Sequence, residues 1–159
     1  MVWKEFPDNF AEQFAMINQD DPFTTQLTGG YTASFAVNGK EHPYWVYFPA
    51  GMEFSYKNLV LLLPSDLDID TFLEKTGWIA TADREKILLL MAGGSTDPFG
   101  TSREENNAFQ DALNKVRNDR RNMDTQRALT YFAGYGAGAQ AGHDYILTHP
   151  ALYASAAFF

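Results

Sequence analysis

An α/β fold built on a largely parallel sheet is what this sequence predicts, and three observations predict it. Residues 31–37 and 44–48 alternate apolar and polar side chains on either side of Asn38-Gly39. Asn-Gly favours the positive φ angles of a tight turn, so the two runs read as an antiparallel hairpin. From residue 58 onward the pattern changes: 58–63 and 86–91 are runs apolar in every residue after the first, 128–133 is a third run, and 151–159 a fourth. Strands apolar on both faces are what a parallel sheet covered by helices on either side requires. Helical segments alternate with these runs, which gives a hairpin followed by β-α-β-α-β-α-β with right-handed crossovers.

Each element has its own signal. Up to about residue 21, Phe10, Phe14 and Ile17 recur at helical spacing and predict a short amphipathic helix, with a loop over 24–30. The chain therefore divides into an N-terminal helix and loop, 1–30, and an α/β domain, 31–159. Residues 70–84 hold one or two helices interrupted near Gly77. A helix over about 102–117 carries Phe109, Leu113 and Val116 on one stripe, and Ser102 followed by Glu105 forms a capping box at its start. The last helix runs over 137–148. There is no internal repeat and no low-complexity segment.

The 159 residues suffice for one domain with a sizeable core. A formal charge of −8 argues against nucleic acid or an anionic membrane surface as partner, since both reward basic patches. The only basic cluster, Arg117 with Arg120 and Arg121, is diluted by Asp119 and Asp124 and reads as a solvated helix end. Without cysteine there is neither a disulfide framework nor a thiolate metal site, a composition compatible with any compartment. The N-terminus lacks the apolar core of a signal peptide, and no apolar run approaches a membrane span.

The segment richest in chemical meaning is Gly134-Tyr135-Gly136-Ala137-Gly138, between the third apolar run and the last helix. It has the layout of a nucleophile elbow, a strand, a tight Gly-x-nucleophile-x-Gly turn, and a helix that opens on small residues. At its centre stands Gly136. Glycine takes the strained turn readily and has no atom with which to attack a carbonyl.

The order of elements and several phrases resemble esterases of the polyhydroxybutyrate-depolymerase and feruloyl-esterase type, within the α/β-hydrolase fold. The phrase from Tyr44 to Gly51 is similar to their second strand and the turn after it. Thr76-Gly77-Trp78 followed by Ala82-Asp83-Arg84-Glu85 resembles the helix before the fourth strand. The elbow comes next, and the run from His149 to Ala154 resembles the approach to the sixth strand. The likeness covers roughly residues 31–159 and implies the N-terminal portion of such a fold, ester hydrolysis as the reaction class, and small ester or acyl ligands. Three departures stand against catalysis by this chain. Gly136 replaces the nucleophile. Pro64-Ser65-Asp66 occupies the place of the family's oxyanion-hole motif, and an ionised Asp66 there opposes a developing oxyanion. The acid and base that the family takes from beyond its sixth strand have no counterpart.

The expectation is thus an esterase-like segment, catalytically inactive alone, in effect a pseudoenzyme with an incomplete domain. The alternative is a non-catalytic, hydrolase-like binding or interaction protein. Ser65, Asp66, Tyr135 and Ala137 are the candidate oxyanion or crevice residues. The resemblance implies that Ala137 N–H would donate to the oxyanion, and Ser65 also fits a turn or cap.

Other residue types point to less. His143 and His149 lie along the last helix, His149 at its far end ~15 Å or more from the elbow at 1.5 Å per residue. His42 falls in the hairpin and reads as solvated. Asp66, Asp68 and Asp70 lack the glycine and distal Glu of a calcium loop and read as solvated or capping acids. The sequence Gly93-Gly94-Ser95-Thr96 lacks the lysine of a P-loop. No metal and no cofactor is expected. An apolar last strand with one unpaired edge predicts association, either with a second chain that completes the sheet or as a homo-oligomer.

Overall fold

The computed structural model describes residues 1–7, 20, 26–52, 57–64, 67–93, 102–119 and 129–159. Strands β1 (Trp3–Glu5), β2 (Gly29–Val37), β3 (Lys40–Phe48), β4 (Asn58–Leu63), β5 (Leu88–Gly93), β6 (Thr130–Gly134) and β7 (Ser155–Phe158) alternate with helices α1 (Ile69–Thr76), α2 (Trp78–Glu85), α3 (Arg103–Asp119) and α4 (Ala137–Thr148). The strands form one sheet in the order β1-β2-β3-β5-β4-β6-β7. The hairpin is antiparallel, β3 meets β5 antiparallel, and β5, β4, β6 and β7 run parallel. The predicted α/β class, an antiparallel hairpin followed by parallel strands, is the one observed.

Local chemistry explains most boundaries. Asn38 (φ 51°) and Gly39 (φ 77°) make the two-residue hairpin turn. Pro43 is tolerated in β3 because β3 pairs with β5 only from Tyr44 to Tyr47, so Pro43 lies beyond that ladder. The Asp68 carboxylate caps α1, accepting from Thr71 N–H at 3.0 Å and Thr71 Oγ1 at 3.1 Å. Those bonds hold the Asp68 carboxyl below its ordinary pKa. Gly77, left-handed at φ 69°, ends α1, and α2 begins at once. The capping box at α3 closes as predicted: Ser102 Oγ accepts from Glu105 N–H and Glu105 Oε2 from Ser102 N–H, both at 3.2 Å.

At the N-terminus the structure differs from the sequence reading. Residues 3–5 form a strand parallel to β2, and Gly29 and Gly30 belong to β2 instead of a loop. Trp3 is tied down through its indole, which donates to Asp70 Oδ1 at 3.0 Å. Phe10, Phe14 and Ile17, on which the amphipathic helix was predicted, lie outside the described residues.

The sheet separates two cores, and the alternation of β4 and β5 sorts side chains between them. Val60, Leu62, Leu88, Leu90 and Ala92 join Phe48, Phe109, Leu113 and Phe132 on the α3–α4 side. Leu59, Leu61, Leu63, Leu89 and Met91 join Ile69, Phe72 and Leu73 under α1 and α2. All twelve residues of β4 and β5 are buried, which is why their sequences carry no polar alternation. β7 departs from that pattern: its four residues are exposed.

The α3–α4 side also contains a buried polar seam. Asn106, Gln110 and Asn114, four residues apart, line one side of α3 and are buried. Asn106 Nδ2 and Gln110 Nε2 both donate to the Ala141 carbonyl, at 3.0 and 2.9 Å. Asn114 Nδ2 donates to Tyr145 Oη at 3.0 Å, and Tyr145 Oη donates to Asp111 Oδ1 at 2.6 Å. Tyr153 Oη reaches Asn114 Oδ1 at 3.3 Å. At the base of the seam Thr130 Oγ1 accepts from Arg117 (Nη1, 2.8 Å) and from Asn58 (Nδ2, 3.0 Å). Arg117 is therefore not the solvated helix end its neighbours in sequence suggested. It is 2% exposed, because position 117 continues the seam three residues beyond Asn114. Arg120 and Arg121 lie outside the described residues.

Two predictions follow from this packing. Thr130→Val keeps the shape but removes the acceptor shared by Asn58 and Arg117. It should destabilise the fold by about 1–3 kcal/mol in urea denaturation. The second concerns alkaline pH. Burial, then the hydrogen bond to Asp83 (2.8 Å) and its charge, push Tyr47 from 10.0 to about 12. Burial likewise pushes Tyr153 to about 12, with the Arg117 charge opposing it. The folded state holds these protons more tightly than the unfolded state, so their contribution is fully present below pH 10 and is lost as pH rises through 12. Stability should fall across that window, and Tyr47→Phe should make the fall shallower.

Candidate active site

Strand β6 ends at Gly134, and α4 begins three residues later at Ala137. Such a short reversal forces the connecting residue out of the ordinary regions of backbone space. Gly136 sits at φ 55°, ψ −120°, a conformation that residues with a side chain occupy only under strain. The turn is held by hydrogen bonds on both sides. Tyr135 N–H donates to the Leu62 carbonyl, Gly136 N–H to the Phe159 carbonyl and Gly138 N–H to the Tyr135 carbonyl, each at 2.9 Å. Gly136 is exposed. A Cβ on Gly136 would meet only Pro64, at 3.5 and 3.6 Å, which is ordinary contact. The turn thus has room for a side chain that the sequence does not supply.

The small residues around the turn serve a different purpose. A Cβ on Gly138 would overlap the backbone carbonyl of Leu62, and one on Gly142 would overlap the Phe132 ring. Their absence lets α4 lie directly on β4 and β6. Ala137 opens α4, so its amide belongs to the first turn, whose N–H groups have no partner within the helix itself.

Tyr135 is packed more firmly than its place in the motif suggests. Its ring stacks on Phe159 at 4.8 Å and meets Phe72 edge-on at 5.0 Å. Its hydroxyl accepts from the Trp78 indole at 2.9 Å. This aromatic cluster lies on the α1–α2 face and braces the turn from that side. Nothing local in the sequence links Trp78 to Tyr135, which are 57 positions apart. The buried seam has one signal in the sequence, the four-residue spacing of Asn106, Gln110 and Asn114.

The other candidates fall away from the turn or outside the described residues. Ser65 and Asp66 lie outside them, as do Gly94, Ser95 and Thr96. His149 caps the far end of α4 and stacks on Tyr145 at 4.2 Å. His143 is exposed, with its ring against Phe158 at 5.4 Å. His42, expected to be solvated, packs instead between Phe35 and Phe109 at 5.7 and 5.1 Å. Asp70 binds Trp3 and the N-terminal ammonium and Asp68 caps a helix, so these two acids serve structure. Among the described residues no group of three or more His, Cys, Asp or Glu could hold a metal ion. No described helix is long and apolar enough to cross a membrane.

No family profile and no curated protein matches the chain. Solved structures do match. The serine hydrolase FphF of Staphylococcus aureus, described as fluorophosphonate-binding, superposes with a TM-score of 0.61 at 16% identity, over 80% of this chain and 55% of its own. A thermostable carboxyl esterase of Bacillus coagulans gives 0.63 at 14% identity, over 83% of this chain and 44% of that one. The poly(3-hydroxybutyrate) depolymerase LpqC of Bordetella parapertussis gives 0.62 at 16%, over 82% and 51%. The chain spans about half the length of these structures. Over that span it has the α/β-hydrolase fold that esterases and serine hydrolases share.

Proposed function

We propose that this chain is an esterase-like segment that retains the elbow of an ester hydrolase and does not itself form an acyl-enzyme. The observation that carries the reading is Gly136, exposed at φ 55°, ψ −120° in the β6–α4 turn, with space beside it and no attacking atom. The matched esterases supply the reaction class, carboxylic ester hydrolysis. By the resemblance, Ala137 N–H would donate to a bound acyl oxygen, and Ser65 and Asp66, which lie outside the described residues, are the further oxyanion or crevice candidates. His143 packs its ring against Phe158 and His149 stacks on Tyr145, so neither is assigned the role of a base here. A small ester or acyl group is the ligand that the resemblance to esterases implies.

The same observation supports a second reading, a non-catalytic protein that binds such a ligand without turning it over. Hydrolysis of p-nitrophenyl butyrate separates the two from an active enzyme. The chain should show no rate above buffer and no labelling by a fluorophosphonate probe. Saturable turnover by the wild-type chain would overturn both readings. Shifts of the Gly136 and Ala137 amide resonances on adding the ester, without turnover, would select the binding role.

Gly136→Ala should cost about 1–3 kcal/mol through its strained φ, with the secondary structure and α4 packing unchanged. Gly138→Ala should cost a comparable about 1–3 kcal/mol by overpacking, and should in addition displace α4 from the sheet. Denaturation midpoints give the costs. Contacts between α4 and β4, followed by nuclear Overhauser effects, distinguish the causes.

A further inference from the structure

We infer that Asn38 is a site of spontaneous deamidation, and that the folded hairpin holds this reaction off until the β2–β3 tip opens. Asn38 alone among the asparagines of the sequence is followed by glycine. With no Cβ, Gly39 leaves its amide nitrogen open to close approach. Both residues are exposed, so solvent base and water reach them. The reaction is a ring closure. Gly39 N attacks Asn38 Cγ, and the new C–N bond closes a five-membered imide. The side-chain nitrogen leaves as ammonia, taking up the proton that Gly39 N gives up. Water then adds to one imide carbonyl, and Gly39 N regains a proton from it. Opening at Cγ leaves aspartate with the ordinary main chain. Opening at the main-chain carbonyl leaves isoaspartate, whose chain runs through Cβ. Nothing is oxidised or reduced.

The native turn keeps the reacting atoms apart. Positive φ at both Asn38 (51°) and Gly39 (77°) marks a type I′ turn. The first residue of such a turn has a ψ of about +30°. At an L-residue Cβ is set roughly 120° from the amide nitrogen about the Cα–C bond, so here it stands roughly 150° from Gly39 N. Ring closure requires Cβ and Gly39 N to eclipse, which Asn38 reaches only when the turn comes apart. The tip is where that can happen. The β3–β5 ladder ends at Tyr44, so Lys40, Glu41, His42 and Pro43 extend past it, opposite residues 34–37 of β2. The Phe35 ring, against His42 at 5.7 Å and Phe109 of α3 at 5.2 Å, fastens this tip to the body of the fold. Isoaspartate adds one atom to the main chain of the two-residue turn that sets the Val37–Lys40 pairing, so the modified tip does not re-form the same turn.

Peptide mass spectrometry of the chain aged in mildly alkaline buffer tests this, by following conversion of the Asn38 amide to the acid. Conversion should be about tenfold or more faster in guanidinium chloride than in the folded chain, because the folded chain reacts only through its open fraction. Phe35→Ala unfastens the tip and leaves the turn residues alone. It should raise the folded-state rate severalfold while the circular dichroism spectrum is kept. If that variant unfolds, the comparison of folded and denatured wild type decides. Equal rates in the folded and denatured chain overturn the protection by the turn. No conversion of Asn38 in the denatured chain overturns the site itself. A folded Phe35→Ala chain that reacts like wild type overturns the link to opening of the tip.

Discussion

The close approach of α4 to the sheet is the constraint on which the other features depend. Gly138 lies so near the Leu62 carbonyl that no side chain fits between them, and Gly142 stands in the same relation to the Phe132 ring. A helix held at that distance can start only three residues after β6 ends, and so short a reversal demands the unusual backbone of Gly136. The exposed turn is thus a by-product of tight packing. Its strain is offset by the apolar surface that α4 covers on β4 and β6, at roughly 25 cal/mol per Å² of area removed from water.

The two faces of the sheet solve their packing differently. Under α1 and α2 the contacts are almost wholly apolar, and the few polar atoms there, such as Tyr135 Oη and Trp78 Nε1, pair with each other. Between α3 and α4 a line of amides, tyrosines and one arginine runs through the interface. A buried cation without a hydrogen-bond acceptor would cost several kcal/mol. Thr130 Oγ1 gives Arg117 an acceptor at 2.8 Å, and the same oxygen also takes Asn58. The directional bonds of such a seam form in few relative positions of the helices, so it constrains the rotation of α3 against α4 more strictly than apolar packing would. That register in turn places Ala141 and Tyr145, and therefore the direction in which α4 leaves the turn.

A catalytic elbow requires two things at one place, a strained exposed turn and a reactive side chain. Here the fold supplies the turn through the glycine contacts of α4, and these do not involve residue 136 itself. Geometry and chemistry are therefore separable in this architecture. A glycine at position 136 takes the turn's backbone with little strain, and the packing does not depend on it. Strand β7 is tied to the same turn, held by β6 along its length and by the bond from Gly136 N–H to the Phe159 carbonyl.

What the sequence determined by itself was whatever short-range physics encodes. Asn38-Gly39 specified a hairpin, because few other pairs accept two positive φ angles. The unbroken apolar runs specified strands buried on both faces. Ser102 with Glu105, and Gly77 between two amphipathic halves, specified helix ends. The elbow was legible because its glycines sit at fixed spacing. Only the tertiary structure decided what depends on residues far apart in the chain. The charge pattern around Arg117 suggested solvent, yet the residue is buried because Thr130 and Asn58 converge on it from two strands. His42 looked polar and exposed until α3 brought Phe109 against it. Tyr135 could line the crevice or pack beneath it on sequence grounds; in the structure it is half-buried against Trp78, Phe72 and Phe159, far from it in sequence or brought in by β7. Trp3 became a strand residue because Asp70 and β2 were there to receive it. In each case the deciding partner was brought in by packing, which local spacing does not encode.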